Sequence, residues 1–151
     1  MQGSAPSRGT KFLGSYQHTI DDKGRISLPA QYRREAADQR FVLVQPYPPA
    51  LALYPEVEWG AVEERLSEMV SRNEDARLYM LSLMANAVEV SPDAQGRILI
   101  PQRLKDAAGL GGTVMLVGAI NKIELWDPSK FNHIVLGQAE TFGRFTAQIF
   151  R

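Results

Sequence analysis

The feature that most constrains the fold is a motif that the chain contains twice. Residues 21–29 read Asp-Asp-Lys-Gly-Arg-Ile-Ser-Leu-Pro, and residues 93–101, 72 positions later, read Asp-Ala-Gln-Gly-Arg-Ile-Leu-Ile-Pro. The same offset aligns later positions without a gap, with 41–44 on 113–116, 51–54 on 123–126, and Trp59 on Phe131. A fixed offset of this kind is the signature of a duplicated unit. We therefore predict two copies of one small module.

Each copy is small enough to need the other. The first module is predicted at residues 12–84 and the second at 85–151, after a flexible N-terminal arm at 1–11 that is rich in Gly, Ser and Pro. A unit of about 70 residues buries too little surface to be more than marginally stable alone. We therefore expect the two copies to share one hydrophobic core.

Hydrophobic periodicity and turn residues predict the same order of elements in each copy. In the first copy we expect strands at 12–20, 25–28, 41–45 and 51–54, and helices at 30–37, 55–72 and 76–83. In the second copy we expect strands at 85–90, 97–100, 113–117 and 123–126, a helix at 101–108, and a last helix with Asp127 as its N-cap and Pro128 as its first residue. The predicted class is α+β and β-rich.

Two apolar groups on the predicted helices differ in their expected surroundings. The first recurs at spacings of three and four, which predicts one buried stripe opposite an acidic, solvated face; its members are Trp59, Val62, Leu66, Met69 and Val70. The second group makes the C-terminal tail unusually aromatic and consists of Phe142, Phe145, Ile149 and Phe150. The tail either completes the core or docks on a neighbouring subunit, and we favour the core.

Composition and motifs exclude several functional classes. The absence of cysteine excludes disulfides, thiolate metal sites and cysteine nucleophiles, and it fits a reducing cytoplasm. The two histidines, His18 and His133, occupy non-equivalent positions and lack the spacing of a catalytic triad or a metal site. The sequence contains no phosphate-binding loop, no apolar run long enough to cross a membrane and no signal peptide. We therefore expect no enzymatic activity, cofactor, metal, small-molecule ligand or membrane association.

The charge of the chain is neutral overall but unevenly distributed. The formal net charge is zero, which argues against a broadly basic nucleic-acid binder. Residues 8–40 nevertheless carry seven Lys or Arg against four acidic residues, whereas residues 56–75 carry two Arg against seven. This segregation permits a local cationic face on a neutral protein.

The repeated motif has an explanation that is purely structural. The carboxylates of Asp21 and Asp93 can bind nearby backbone N–H groups and pair with the arginine four residues later, while Gly24 and Gly96 allow a positive φ in the turn. The isoleucine serves the core, and the proline begins a helix. We predict that the two aspartates and the two glycines, Asp21, Gly24, Asp93 and Gly96, fix the shape of the loops. This structural explanation alone accounts for every matched position.

A functional explanation adds the positive charge of the loops. Lys23 and Arg25 flank Gly24, and Arg33 and Arg34 lie on the helix that follows. A narrow cationic turn can approach DNA phosphates, and an arginine can bind guanine O6 and N7 in the major groove. The second loop has Arg97, but Gln95 replaces the lysine. The candidate DNA-binding residues are therefore Lys23, Arg25, Arg33, Arg34 and Arg97, with the first loop the stronger candidate.

The paired Asp-x-x-x-Arg motifs resemble the MraZ family of bacterial transcriptional regulators. The resemblance covers nearly the whole chain, from Phe12-Leu13-Gly14 through residues 96–101 to Val117-Gly118 and Leu125-Trp126-Asp127. It implies two AbrB-like swapped-hairpin modules that form a barrel-like core with flanking helices, and a ring-shaped homo-oligomer. It also implies a DNA-binding protein of the cytoplasm and nucleoid, which binds short direct repeats of double-stranded DNA upstream of the division and cell-wall gene cluster, usually as a repressor.

The resemblance also assigns roles to individual residues. DNA binding in the family is associated with the Asp-x-x-x-Arg loops, which implies that Lys23, Arg25 and Arg97 contact DNA while Asp21 and Asp93 hold the loops. Two alternatives stay open. The arginines can be purely structural, and the chain can be an interaction module of the same fold, either antitoxin-like or a structural ring.

Overall fold

The computed structural model describes residues 10–36 and 40–150, so the predicted N-terminal arm lies almost entirely outside the described residues. The elements of the first copy are β1 (Ser15–Thr19), β2 (Arg25–Ser27), α1 (Ala30–Glu35), β3 (Phe41–Val44), β4 (Leu51–Pro55), α2 (Glu56–Arg72) and α3 (Asp75–Ala85). Those of the second are β5 (Val88–Val90), β6 (Arg97–Leu99), α4 (Gln102–Ala107), β7 (Thr113–Gly118), β8 (Ile123–Trp126) and α5 (Pro128–Lys130). The chain then continues through helical turns at Phe131–Val135 and Leu136–Thr141 into α6 (Phe142–Ile149). The predicted α+β class is confirmed.

The strands of the two copies interleave. Six of them form one sheet in the order β1-β7-β8-β4-β3-β5, in which every neighbouring pair is antiparallel. The first strand of each copy therefore pairs with the other copy, because β1 lies beside β7 and β5 lies beside β3. The remaining strands, β2 and β6, pair with each other as a separate two-stranded antiparallel structure, here called the β2–β6 ribbon.

A local twofold axis relates the two copies. In the β2–β6 ribbon, Ile26 pairs with Ile98, and in the large sheet Ala52 of β4 pairs with Glu124 of β8. Both pairs join residues that are 72 positions apart, so each joins a residue to its own equivalent. The axis consequently passes between the members of both pairs. This exchange of strands is what a pair of swapped-hairpin modules requires.

One hydrophobic core serves both copies, as predicted. The core cluster takes buried side chains from the strands and short helices of each half. Its largest fully buried members are Tyr32, Phe12, Phe41, Ile26, Leu28, Leu43, Leu51, Leu53, Ile98, Ile100, Leu104 and Leu116. The predicted closure of this sheet into a barrel stays a prediction.

The prediction of an ungapped offset is wrong at β7. Leu43 pairs with Leu53 in the first copy, and Leu116 pairs with Leu125 in the second. Because Leu53 and Leu125 are 72 positions apart, Leu43 corresponds to Leu116, at an offset of 73. A slip of one residue moves every side chain of a strand to the other face, and the extra residue before β7 lets Leu116 remain fully buried.

Helix α2 covers the outer face of the sheet in the first copy only in part. Trp59 is buried against Tyr54, with 5.6 Å between the ring centroids. Both residues belong to a second apolar cluster, against which Val62 also packs. Met69 is 54% exposed, so the predicted stripe is wrong at this residue. The apolar cluster that covers Trp59 and Val62 takes no described residue from the second half of α2, so it does not extend to Met69.

The C-terminal helical region leaves the body of the protein after its first turns. Asp127 is the N-cap, as predicted, because its carboxylate accepts a hydrogen bond from the backbone N–H of Lys130 at 3.1 Å. Phe131 packs against Trp126 with the ring centroids 5.5 Å apart. Every residue of 136–150 is exposed, so the favoured prediction that the aromatic tail completes the core is wrong.

Among the described residues, no helix has both the length and the apolar character needed to cross a membrane.

Candidate nucleic-acid interface

The first loop is a turn organised by Asp21. Its Oδ1 accepts hydrogen bonds from the backbone N–H groups of Lys23 and Arg25, at 2.9 and 2.8 Å, and its Oδ2 accepts one from Nε of Arg25 at 2.8 Å. The backbone closes the same turn, because Gly24 N–H donates to the Asp21 carbonyl and Asp21 N–H donates to the Arg25 carbonyl. Four hydrogen bonds and one ion pair thus fix the base of the Arg25 side chain.

The second loop repeats this geometry around Asp93. Its Oδ1 accepts hydrogen bonds from the backbone N–H groups of Gln95 and Arg97, both at 2.9 Å, and its Oδ2 accepts one from Nε of Arg97 at 3.0 Å. The backbone N–H of the arginine is the main reason why the pKa of each aspartate lies below its usual range; the arginine side chain and the N–H of residue 23 or 95 lower it further. Both aspartates are therefore ionised acceptors at neutral pH.

Glycine is required at the fourth position of both loops. Gly24 has a φ of +83° and Gly96 a φ of +79°, in the left-handed region that other residues rarely adopt. The two loops also approach the opposite copy closely, because a Cβ on Gly24 would lie 2.9 Å from the carbonyl oxygen of Ile100. This oxygen belongs to the residue whose N–H donates to the Gly24 carbonyl at 2.8 Å. Each turn therefore lies at one end of the β2–β6 ribbon, beside the other copy.

The β2–β6 ribbon presents both arginines on its outer face. Ile26 and Ile98 are fully buried, so the alternation of a strand directs their neighbours to the opposite side. The side chains of Arg25 and Arg97 are 32% and 28% exposed. Within the described residues, their hydrogen bonds to Asp21 and Asp93 use only Nε, which leaves the terminal guanidinium nitrogens for another acceptor.

The other predicted contact residues differ in their surroundings. Lys23 is exposed at the tip of the first loop, and Arg34 is exposed on α1. Arg33 is half-buried: its Nε donates to the Leu28 carbonyl at 3.1 Å, and its guanidinium lies directly over Gly96 of the second loop. The ribbon and its first loop thus bring Lys23, Arg25 and Arg97 together. Arg34 is exposed on α1, and Arg33 is engaged by the protein itself.

Two residues of the outer face were not among the predicted contacts. Ser27 and Leu99 occupy equivalent positions, opposite Arg97 and Arg25 respectively, and Leu99 is 54% exposed despite its apolar side chain. Side chains alternate between the two faces of a strand, so the apolar Ile26 and Ile98 were the sequence signal that Ser27 and Leu99 lie on the outer face. No sequence signal could have shown that Arg33 lies over Gly96, because this contact depends on the pairing of the two copies.

The arrangement suits the binding of a polyanion and offers nothing for metal chemistry. The outer face supplies guanidinium and ammonium donors, and the carboxylates of Asp21 and Asp93 are already occupied as acceptors from their own loops. Across residues 10–36 and 40–150, no group of His, Asp or Glu side chains is arranged to hold a metal ion. Rigid donors on a narrow ribbon are the groups that DNA-binding proteins present to phosphates and to base edges.

Comparisons with known proteins agree with the duplication. The family model described as "MraZ protein, putative antitoxin-like" matches the chain twice, at residues 11–81 and 83–148. A protein of Oenococcus oeni named Transcriptional regulator MraZ is 36% identical over 138 residues, which cover 91% of this chain and 96% of the relative. Relatives of the same name from Azotobacter vinelandii and Pseudomonas aeruginosa are 42% and 39% identical, and the matches cover 77% and 80% of this chain and 79% and 83% of the relatives.

Proposed function

The chain belongs to the MraZ family of transcriptional regulators, and on this basis we propose that it regulates transcription by binding double-stranded DNA through the β2–β6 ribbon. The observation that carries the proposal is the outer face of the ribbon, where Arg25 and Arg97 are each fixed by a carboxylate and point their remaining donors outward. The two loops flank this face, and Lys23 extends the charge of the first.

The dimensions of the ribbon fit the major groove. Two paired strands lie roughly 4.8 Å apart, and the groove, at about 12 Å, admits a two-stranded ribbon. Arg25 is opposite Leu99, so Arg25 and Arg97 are two residues apart along the ribbon, or roughly 7 Å. That distance corresponds to about two base-pair steps of 3.4 Å. Two base pairs separated by one intervening pair are therefore within reach of the two guanidinium groups.

The residues of the site divide into three roles under this proposal. Arg25 and Arg97 contact bases, Lys23 and Arg34 contact phosphates, and Asp21 and Asp93 hold the arginines at a fixed angle. A side chain held in one orientation loses little entropy when it binds, which favours discrimination between bases. Phosphate contacts supply affinity and position the protein but carry no sequence information.

Assembly of several subunits would compensate for the weak charge of one. A single ribbon with a few cations binds DNA weakly at physiological salt. We propose that identical subunits in a ring place several ribbons on one rim, so that repeated boxes are bound with a high effective concentration. The targets proposed are short direct repeats upstream of the division and cell-wall gene cluster, where occupancy by the ring represses transcription at the nucleoid.

The first prediction concerns the two arginines. We expect Arg25→Ala and Arg97→Ala each to weaken binding to the DNA upstream of the protein's own gene by roughly 10- to 100-fold, because a bidentate contact to a base contributes about 1–3 kcal/mol. Fluorescence anisotropy with the promoter fragment and with a shuffled fragment, at two salt concentrations, measures both affinity and preference. Arg72→Ala is the matched control, because this exposed arginine of α2 pairs with Glu68 and lies outside the ribbon.

Each outcome separates one explanation from another. Loss of preference for the promoter fragment in both ribbon variants, with Arg72→Ala unchanged, supports the proposal. Ribbon variants that bind DNA as tightly as the wild type show that the two arginines only stabilise the conformation of their own turns. A wild-type protein that prefers neither fragment refutes DNA recognition and favours an interaction module of the same fold.

A further inference from the structure

The outer face of the β2–β6 ribbon combines polar side chains with an apolar one. Four residues point outward, because the two central isoleucines of the paired strands point into the core; they are Arg25, Ser27, Arg97 and Leu99. Leu99 is the apolar member of this set, and it is 54% exposed. Single exposed apolar residues are common on protein surfaces, so the exposure of Leu99 has meaning only because of its place among the cationic side chains of this face.

The fold of the ribbon does not require a leucine at this position. The local twofold axis relates Leu99 to Ser27, and each is followed by a buried apolar residue and a proline. Each also lies opposite an arginine of the other strand. A serine therefore forms the same local structure in the first copy, and the leucine of the second copy needs a separate explanation.

Leu99 lies against the first loop. Its Cδ1 atom would be 3.6 Å from a Cβ on Gly24, so the leucine side chain lies over the turn that presents Arg25. The equivalent glycine of the second loop, Gly96, is covered by the guanidinium of Arg33 instead. The two halves of the outer face thus differ in their chemistry, because an apolar group borders the first loop and a cationic group borders the second.

Leu99 and Arg25 form an adjacent pair. They lie directly opposite each other in the antiparallel ribbon, which places their Cβ atoms roughly 5 Å apart. Arg25 is held through its Nε by Asp21 at 2.8 Å, and Leu99 is held against Gly24. A base that binds the guanidinium of Arg25 is therefore bordered by an apolar group at a fixed distance.

The major groove of DNA offers one apolar group to such a side chain. The base edges in this groove present hydrogen-bond donors and acceptors, together with the C5-methyl group of thymine. A leucine placed over a polar edge displaces water without replacing its hydrogen bonds, which costs free energy. Over a thymine methyl group the same side chain buries apolar surface, which is favourable. A leucine on this face therefore discriminates in favour of thymine.

We propose that Leu99 is a specificity-determining residue that contacts the C5-methyl group of a thymine close to the base contacted by Arg25. The inference rests on the proposed function and adds a base preference to it. The separation of roughly 5 Å across the ribbon is less than two base-pair steps of about 3.4 Å, so the thymine lies within about two base pairs of the other base. Ser27 has no methyl group to select, so this preference belongs to one half of the site.

The test removes the methyl group from the DNA and the leucine from the protein. The promoter fragment is prepared with thymidine and with deoxyuridine, which lacks the C5-methyl group but pairs in the same way. Fluorescence anisotropy measures the affinity of the wild type, Leu99→Ser and Leu99→Met for both forms. Leu78→Ser is the matched control, because this leucine is 67% exposed on α3, outside the ribbon. The shuffled fragment in both forms measures the general effect of uracil, and circular dichroism checks that each variant is folded.

The expected result is a coupling between the leucine and the methyl group. Uracil weakens binding of the wild type to the promoter fragment at least about fourfold, which corresponds to about 0.8 kcal/mol for one buried carbon group. Leu99→Ser binds the thymine form correspondingly more weakly and no longer distinguishes the two forms. Leu99→Met remains apolar and keeps the distinction, and Leu78→Ser behaves like the wild type. The slope of log affinity against log salt concentration is unchanged in Leu99→Ser, because no phosphate contact is lost.

Replacement of single bases locates the contact. Each thymine of the promoter fragment is replaced by uracil in turn, and each guanine by 7-deazaguanine, which lacks the N7 acceptor that an arginine binds. The thymine on which Leu99 depends is expected within about two base pairs of a guanine whose replacement weakens the wild type but not Arg25→Ala. A sensitive thymine far from such a guanine overturns the proposal.

The remaining outcomes also separate the explanations. If Leu99→Ser binds weakly but stays as sensitive to uracil as the wild type, the leucine only supports the turn at Gly24 and the proposal is wrong. It is also wrong if uracil has the same effect on the shuffled fragment. A wild type that prefers the promoter fragment but binds its two forms equally overturns this inference and leaves the proposed function intact. A wild type without preference for the promoter fragment refutes both.

Discussion

At the scale of single residues, the five candidate cationic side chains differ in their contacts and therefore in the roles that we expect for them. Arg25 and Arg97 each have one nitrogen committed to a carboxylate, whereas Lys23 and Arg34 are exposed. Arg33 differs from all of them, because it joins α1 of the first copy to the second loop through its position over Gly96. We therefore expect Arg33 to position the second loop rather than to contact a phosphate.

Salt dependence distinguishes a positioning arginine from a phosphate contact. We expect Arg33→Ala to weaken promoter binding without changing the slope of log affinity against log salt concentration. Arg34→Ala, the neighbouring exposed arginine, is expected to lower that slope by about 0.9, because each lost phosphate contact releases one fewer counterion. Anisotropy titrations at four salt concentrations measure both slopes. A reduced slope in Arg33→Ala would show that this guanidinium reaches DNA directly.

At the scale of elements, the two turns depend on ionised aspartates. The pKa of Asp21 and of Asp93 is lower in the folded protein than the ordinary value of 3.8. Their contribution to stability is therefore complete above pH 3.8 and is lost as the pH falls through the lower, folded-state pKa. We expect the double variant Asp21→Asn, Asp93→Asn to lose less stability than the wild type between pH 5 and pH 3.

Urea unfolding followed by tryptophan fluorescence measures this difference. The wild type and the double variant are compared at pH 7, 5, 4 and 3, and the change in midpoint with pH is the quantity of interest. Other carboxylates contribute equally to both proteins, so they cancel in the comparison. Parallel pH profiles would mean that the hydrogen bonds of the two turns do not stabilise the fold.

The elements also show how far sequence reasoning reaches. The two turns and the strands that follow them could be predicted because Asp, Gly and Pro restrict the local backbone in the same way in each copy. The register of β7 could not, since it depends on which side of the strand faces a core built by both copies. The tail was misjudged for a related reason: its aromatic residues show that a surface is needed, but not which molecule supplies it.

At the scale of the whole molecule, the interleaved strands make each copy incomplete. In the first copy β1, β2 and β3 all pair with strands of the second. We expect the predicted first module, residues 12–84, to form no folded monomer when it is expressed alone. Two such chains can instead repeat the same pairings around a true twofold axis, with Ile26 opposite Ile26 of the other chain. A folded homodimer is therefore the expected product.

Mass and folding together check this expectation. Light scattering gives the number of chains, and circular dichroism over a dilution series shows whether the fold is lost as the dimer dissociates. Ile26→Asp places charges at the axis and is expected to abolish the dimer. A fragment that unfolds cooperatively as a monomer would show that the first copy does not need the strands of the second.

The local twofold axis relates two halves that are alike in backbone but unlike in side chains. Lys23 corresponds to Gln95, and Ser27 corresponds to Leu99. A DNA-binding protein with exact twofold symmetry is unchanged by a rotation of 180° and is therefore suited to palindromic sites. A fused pair with unequal halves is changed by that rotation, so its two orientations on a duplex are not equivalent. Under the proposed function such a chain would have a polarity on the DNA, and a row of identical subunits could follow boxes that all point the same way.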